Sequence, residues 1–142
     1  MTAPVNIIDG FGTRHKARVT KNGQLITAPF GYDDTSFREL AEINTAYNFY
    51  GPIPGKQFIL TGIIAKADKQ VSSTVDADFV VYEAAADDTV TASKILFQTA
   101  MVEGDFLQVV NLNIQTTEGV FINAKTTDDD FHVTITGYYI DA

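Results

Sequence analysis

Apolar and polar residues alternate along much of this chain, as they do in half-buried β-strands. The clearest case is the stretch 131–140, whose apolar positions share one face: Phe131, Val133, Ile135 and Gly137. His132, Thr134 and Thr136 fall on the opposite face, which the pattern predicts to be exposed. The most apolar run, 57–65, lacks this alternation and is predicted to be a central strand buried on both faces.

The same pattern, together with its turn signals, predicts eight strands: 37–43, 47–50, 57–67, 77–83, 94–101, 105–112, 119–125 and 131–140. The first of these is ambiguous, because Ser36 and Glu39 also fit the capping box of a short helix. We favour a strand there because its surroundings are β. Eight short strands joined by loops of this length predict an all-β fold, an antiparallel β-sandwich and most simply an eight-stranded jelly roll.

The first part of the chain is predicted to be separate from this sandwich. Asn22-Gly23 stands between two β-prone runs and favours a type I′ turn, so residues 16–28 are predicted to form a β-hairpin. Pro29, Gly31 and the following aspartates then predict a linker near 29–35. We therefore divide the chain into an N-terminal arm with a β-hairpin, residues 1–35, and a β-sandwich domain, residues 36–142.

Composition narrows the classes of function. The chain has 142 residues, no cysteine and a formal net charge of −8. Residues 1–25 carry four basic and one acidic side chain, a net of +3, so the remaining residues carry −11. An acidic domain is a poor binder of nucleic acid or of an anionic membrane, and neither is expected as a partner. No signal peptide or membrane-spanning run is predicted.

The chain offers little that could catalyse a reaction. Its two histidines, His15 and His132, are isolated, so a metal site of clustered histidines or a Ser-His-Asp triad is not expected. Gly10-Phe11-Gly12 lacks the context of a nucleotide loop. We predict no enzyme activity and no cofactor, and keep a hydrolase or lyase that uses Asp76 and Asp78 as a minor alternative.

Adjacent acidic residues are better explained as solvated turns than as a metal site. If a cation binds anywhere, the run Asp128, Asp129 and Asp130 is the weak candidate, although it does not match a calcium-binding loop. Among the aromatic residues, Tyr47, Tyr50 and Tyr139 are possible exposed contacts for a sugar or a partner protein, or else packing residues.

Several short segments of the sequence resemble segments that are common in one family of proteins. The chain opens Val5-Asn-Ile-Ile-Asp-Gly-Phe-Gly-Thr-Arg14, continues through the hairpin, and ends with Gly137-Tyr-Tyr-Ile140. Between these stand Asn44-Thr-Ala-Tyr-Asn-Phe-Tyr50 and Pro54-Gly-Lys-Gln-Phe-Ile-Leu-Thr-Gly62. In these phrases the chain resembles small structural proteins of tailed phages over nearly its whole length.

The resemblance implies a virion protein made in the host cytoplasm. With a jelly roll of this size, it further implies a capsid decoration or cement protein on the capsid surface. Its partners would be the major capsid protein and further copies of itself, as a homotrimer. Arm residues would contact the capsid or a neighbouring subunit: Val5, Ile7, Ile8, Arg14, Lys16, Arg18, Leu25 and Ile26. The alternative is a carbohydrate- or receptor-binding module of a tail or fibre, since such proteins open in the same way.

Overall fold

The computed structural model describes residues 34–68, 76–128 and 130–142. These residues form nine β-strands and no helix: β1 (Asp34–Leu40), β2 (Tyr47–Tyr50), β3 (Lys56–Ala67), β4 (Ala77–Ala84), β5 (Lys94–Met101), β6 (Phe106–Val109), β7 (Ile114–Gln115), β8 (Phe121–Thr126) and β9 (Phe131–Asp141). Across this part of the chain, then, no helix is long and apolar enough to span a membrane. The predicted hairpin at 16–28 lies outside the described residues.

The strands form two antiparallel sheets that pack as a sandwich. One sheet has the order β1-β9-β3-β6, with β7 also paired to β3, and the other has the order β2-β8-β4-β5. The core between the sheets comes from alternate residues, as in β9, where Phe131, Val133 and Ile135 are buried. The prediction of an all-β, antiparallel sandwich is confirmed.

Most strand positions agree with the prediction. The ambiguous first segment is a strand, although it runs from Asp34 to Leu40 and not over 37–43. The predicted strand 105–112 is wrong in its second half, because β6 ends at Val109 and a separate two-residue β7 follows. Asn111 lies between them with a φ of 60°, a left-handed conformation that interrupts a strand.

The predicted central strand β3 lies between β9 and β6, and is buried on both faces over Phe58–Ile63. Beyond this stretch the burial alternates, and Ile64 and Lys66 face solvent. The first half of β3 is therefore covered on both faces of the sheet, whereas the second half has one face exposed to solvent.

A close approach between β3 and β9 is possible because residue 137 is glycine. A Cβ there would meet the carbonyl oxygen of Ile59 and the ring of Phe58, whose Cε1 would be 2.7 Å away. The pairing of the two strands also shifts here, since Leu60 pairs with Gly137 but Gly62 pairs with Thr136. Thr61 is therefore the extra residue of a β-bulge, and its hydroxyl lies 3.0 Å from that of Thr136.

Candidate functional site

The outer face of the first sheet exposes large apolar side chains. Phe37 of β1 and Ile64 of β3 both pair with Thr134 of β9, so the three side chains lie side by side on one face. Phe106 of β6 lies in the next row, opposite Lys66. The exposed fractions are 59% for Phe37, 37% for Ile64 and 64% for Phe106. We call these three residues the outer-face patch.

The polar residues around the outer-face patch carry charges of both signs. His132 lies between Glu39 and Lys66 in the register, and its ring centroid is 6.1 Å from that of Phe37. Lys66 forms an ion pair with Asp68 at 3.3 Å, and His132 Nε2 lies 3.9 Å from the same carboxylate. His132 is partly exposed, as its position in the alternation predicted. This surface lacks the strong negative charge of the chain as a whole.

Residues 85–93 fold over part of the outer face of the second sheet. Tyr82 and Asn123 point outwards from this sheet, yet both are fully buried. The Tyr82 hydroxyl donates to the carbonyl of Thr89 (2.9 Å), and Asn123 Nδ2 donates to that of Ala86 (3.0 Å). Burial raises the pKa of Tyr82, although its hydrogen bond with Asn123 acts the other way. The covering segment therefore satisfies the polar groups that it buries.

A cleft lies at one end of the sandwich. It has a volume of about 690 Å³, and its lining residues are Glu83, Ala84, Ala85, Ser93, Lys94, Thr117, Gly119 and Val120. Glu83 is only 2% exposed, and its Oε1 accepts a hydrogen bond from the backbone N–H of Thr117 at 2.9 Å. Lys94 Nζ lies 3.5 Å from the same oxygen. The carboxylate thus joins the end of β4, the start of β5 and the segment before β8.

Sequence reasoning did not single out Glu83 or Lys94. The signal was present in the alternation of β4, where Ala77, Phe79 and Val81 point into the core and Glu83 is the next residue on that face. A carboxylate at such a position needs a partner, because burying an isolated charge is costly. The lysine that starts β5 supplies it.

The three candidate tyrosines differ in exposure. Tyr50 is a core residue, 8% exposed, so its assignment as a possible exposed contact is corrected. Its ring packs on Phe58 with centroids 4.2 Å apart, and its hydroxyl lies 2.8 Å from the carbonyl oxygen of Ile135. Tyr47 and Tyr139 are half-buried. The Tyr139 hydroxyl donates to Gly51 O at 2.6 Å. Because Tyr50 is buried, only Tyr47 and Tyr139 among the three tyrosines expose part of a ring to solvent.

The acidic candidates do not come together as a site in the described residues. Asp129 lies outside them, while Asp130 adopts a left-handed turn conformation with a φ of 59°. Within the described ranges, no three His, Cys, Asp or Glu side chains form a group that could hold a metal ion. Asp76 and Asp78 are both exposed.

The remaining candidates precede the first described residue. The arm residues predicted to contact a capsid or a neighbour all lie outside the described residues: Val5, Ile7, Ile8, Arg14, Lys16, Arg18, Leu25 and Ile26. His15 lies there as well. These predictions stay predictions.

No protein-family model, curated protein or solved structure matches this chain. Its function is therefore argued from its own geometry. In the described residues, that geometry offers an exposed apolar patch on one sheet and a cleft of mixed polar and apolar lining at one end of the sandwich.

Proposed function

We propose that this chain is a structural protein of a tailed-phage particle that decorates and stabilises the capsid shell through its N-terminal arm and its β-sandwich. The observation that carries the proposal is the outer-face patch. Two phenylalanines and an isoleucine are exposed close together on one sheet face. Exposed apolar residues that are grouped and rimmed by polar ones are typical of protein interaction surfaces.

The strand order supports the proposal at the level of the fold, since we infer that the sandwich is a jelly roll. β1 pairs with β9, β2 with β8, β3 with β6, and β4 with β5. Each pair is enclosed in the sequence by the pair before it, and successive pairs lie in alternate sheets. This is the arrangement that results when one long antiparallel hairpin is wrapped around a core, which defines a jelly roll. Jelly rolls of eight strands are common in viral capsid proteins.

Charge supports a division of roles between the two parts of the chain. Residues 1–25, most of the arm, carry a net charge of +3, whereas residues 26–142 carry −11. A basic segment is attracted to an acidic partner surface, and the acidic remainder keeps exposed parts of neighbouring molecules apart. Burying apolar arm residues on a partner would add roughly 1.5–3 kcal/mol for each large side chain.

The test is the composition of purified particles of the virus that encodes the chain. Quantitative mass spectrometry should find this chain at a copy number comparable to that of the major shell protein. Purified wild-type chain should also rebind to particles stripped of it, while Phe37→Ser/Phe106→Ser should rebind at least about tenfold more weakly. A matched control is Val90→Ser, which changes an exposed apolar residue of the covering segment 85–93. Absence from the particles would overturn the proposal.

A carbohydrate- or receptor-binding module of a tail or fibre is the second candidate, and the cleft at the end of the sandwich favours it. A carboxylate, an ammonium and hydroxyl groups line the cleft, and such groups can hydrogen-bond a sugar. Glycan arrays test this directly. Binding that is lost in Ser93→Ala or Thr117→Val would support this candidate, and a copy number of a dozen or fewer per particle would move the chain from shell to tail.

A further inference from the structure

β5 leaves one long edge of the second sheet without a hydrogen-bonded neighbour among the described residues. It has eight residues, Lys94–Met101, and pairs with β4 on its other side. An edge strand presents a row of unpaired N–H and C=O groups, which proteins usually protect by charged side chains, proline or short length. β5 has no proline, and Lys94 is its only charged residue.

The other sheet edges in the described part of the chain carry these protections. β1 has Asp34, Arg38 and Glu39 within its seven residues. β2 and β6 have four residues each, and β7 has two. β5 is therefore the longest of these edges, and it carries one charged residue where β1, the next longest, carries three.

One irregularity in β5 limits the part that is free to pair. Val81 of β4 pairs with Phe97, but Tyr82 pairs with Ile95, so Leu96 is an extra residue. Such a bulge disturbs the ladder locally. From Phe97 to Met101 the register is regular, and these five residues carry no charge.

We propose that two copies of this chain associate through antiparallel pairing of β5 with β5, which joins their four-stranded sheets into one sheet of eight strands. The occupant of the edge is a second copy because an antiparallel pair of identical strands is complementary to itself about a two-fold axis. This inference does not rest on the proposed function. It gives a dimer and not the trimer that the resemblance implies.

Charge and exposure favour this edge for self-association. Two molecules with a net charge of −8 repel each other over most of their surfaces. β5 contains no acidic residue, so pairing there places no carboxylates of the two strands opposite each other. The half-buried Phe97 would lose exposed apolar surface in the contact.

The test is sedimentation of the full chain over a range of concentrations, with charge variants of β5. Gln98 and Ala100 are exposed on this strand, so Gln98→Lys/Ala100→Lys should leave the fold intact and place like charges across the two-fold axis. Like charges opposite each other are destabilising, and we expect the dimer dissociation constant to rise about tenfold. Gln98→Glu/Ala100→Glu should do the same, whereas an equimolar mixture of the two variants should dimerise at least as well as wild type.

Two controls show whether the β5 charges act on the dimer contact itself and not on folding or on net charge. At a concentration at which wild type is monomeric, thermal unfolding of each variant should match that of wild type, because both positions are exposed. Gln108→Lys on β6 adds one charge to the other sheet and should leave the dissociation constant unchanged. A chain that stays monomeric up to about 1 mM, that forms a trimer, or whose dimer is insensitive to the β5 charges would overturn the proposal. Equal weakening by Gln108→Lys would overturn it as well.

Discussion

Replacing Gly137 by alanine should destabilise the sandwich more than any ordinary glycine-to-alanine change. The added Cβ would collide with the Ile59 carbonyl oxygen, which belongs to the backbone of the neighbouring strand, and with the buried ring of Phe58. Neither neighbour can rotate away. The ring is held between Tyr50 and Tyr139, with centroid distances of 4.2 and 5.2 Å.

The expected cost is at the upper end of the range for overpacking, about 3 kcal/mol of unfolding free energy. In a domain of roughly 100 residues this corresponds to a fall in Tm of about 10–20 °C. Urea unfolding followed by circular dichroism measures the free energy, and calorimetry measures Tm. Gly51→Ala is the matched control, because its Cβ would meet only Phe121 Cε1 at 3.9 Å, an ordinary contact. It should change stability by no more than about 0.5 kcal/mol.

A double-mutant cycle separates the ring from the backbone. Phe58→Leu removes the ring but leaves the Ile59 carbonyl, so it should relieve only part of the Gly137→Ala penalty. The coupling between the two changes should be at least about 0.5 kcal/mol. Strict additivity, or a Gly137→Ala variant as stable as Gly51→Ala, would refute the close approach of β3 and β9 described here.

Three further predictions concern buried polar groups. Lys94→Met should lower the free energy of unfolding in urea by about 1–3 kcal/mol, because it leaves the buried Glu83 carboxylate without its cation. The double variant Lys94→Met/Glu83→Gln should recover part of this loss. No recovery would count against the pairing of Lys94 with Glu83. Asn123→Leu should increase the rate of amide hydrogen exchange in residues 85–93 at least about tenfold relative to the core strands, since the segment loses a side chain that hydrogen-bonds it. Unchanged exchange would contradict the role of Asn123 in holding this segment on the sheet. Burial, and then the nearby negative charge of Asp34, raise the pKa of Tyr139 above 10.0. The neutral phenol is therefore favoured in the folded state, so stability should fall as the pH rises above about 10, and Tyr139→Phe should reduce that fall.

The strands could be predicted from sequence because their signal is local. In β9 the buried face follows directly from the two-residue period, and the exposed position of His132 follows with it. The end of β6 could not be predicted, because Val110 and Leu112 continue the apolar character although Asn111 turns the backbone. After this turn the backbone N–H of Leu112 donates to the carbonyl of Thr61 in β3 at 2.9 Å, a long-range contact that the local pattern does not show.

The candidate site was less predictable because it depends on which strands become neighbours. Phe37 and Ile64 are 27 positions apart in the sequence, and they share a face only because both β1 and β3 pair with β9. In the same way, the sequence leaves Tyr50 open as an exposed contact or a packing residue, because nothing local shows that Phe58 and Ile135 surround its ring and hydroxyl. Long-range pairing decides both.

The position of β9 has a consequence for synthesis of the protein. β9 is the last strand of the sandwich in chain order, yet it lies between β1 and β3. It pairs with β3 from Phe131 to Asp141 and with β1 from Phe131 to Gly137. A ribosome adds about 5–20 residues per second. β3 ends at Ala67 and β9 at Asp141, so β1 and β3 wait about 4–15 s for the strand that joins them. During that time the apolar run of β3 has no partner from β9, which makes the nascent chain a ready substrate for chaperones that bind exposed β-strands.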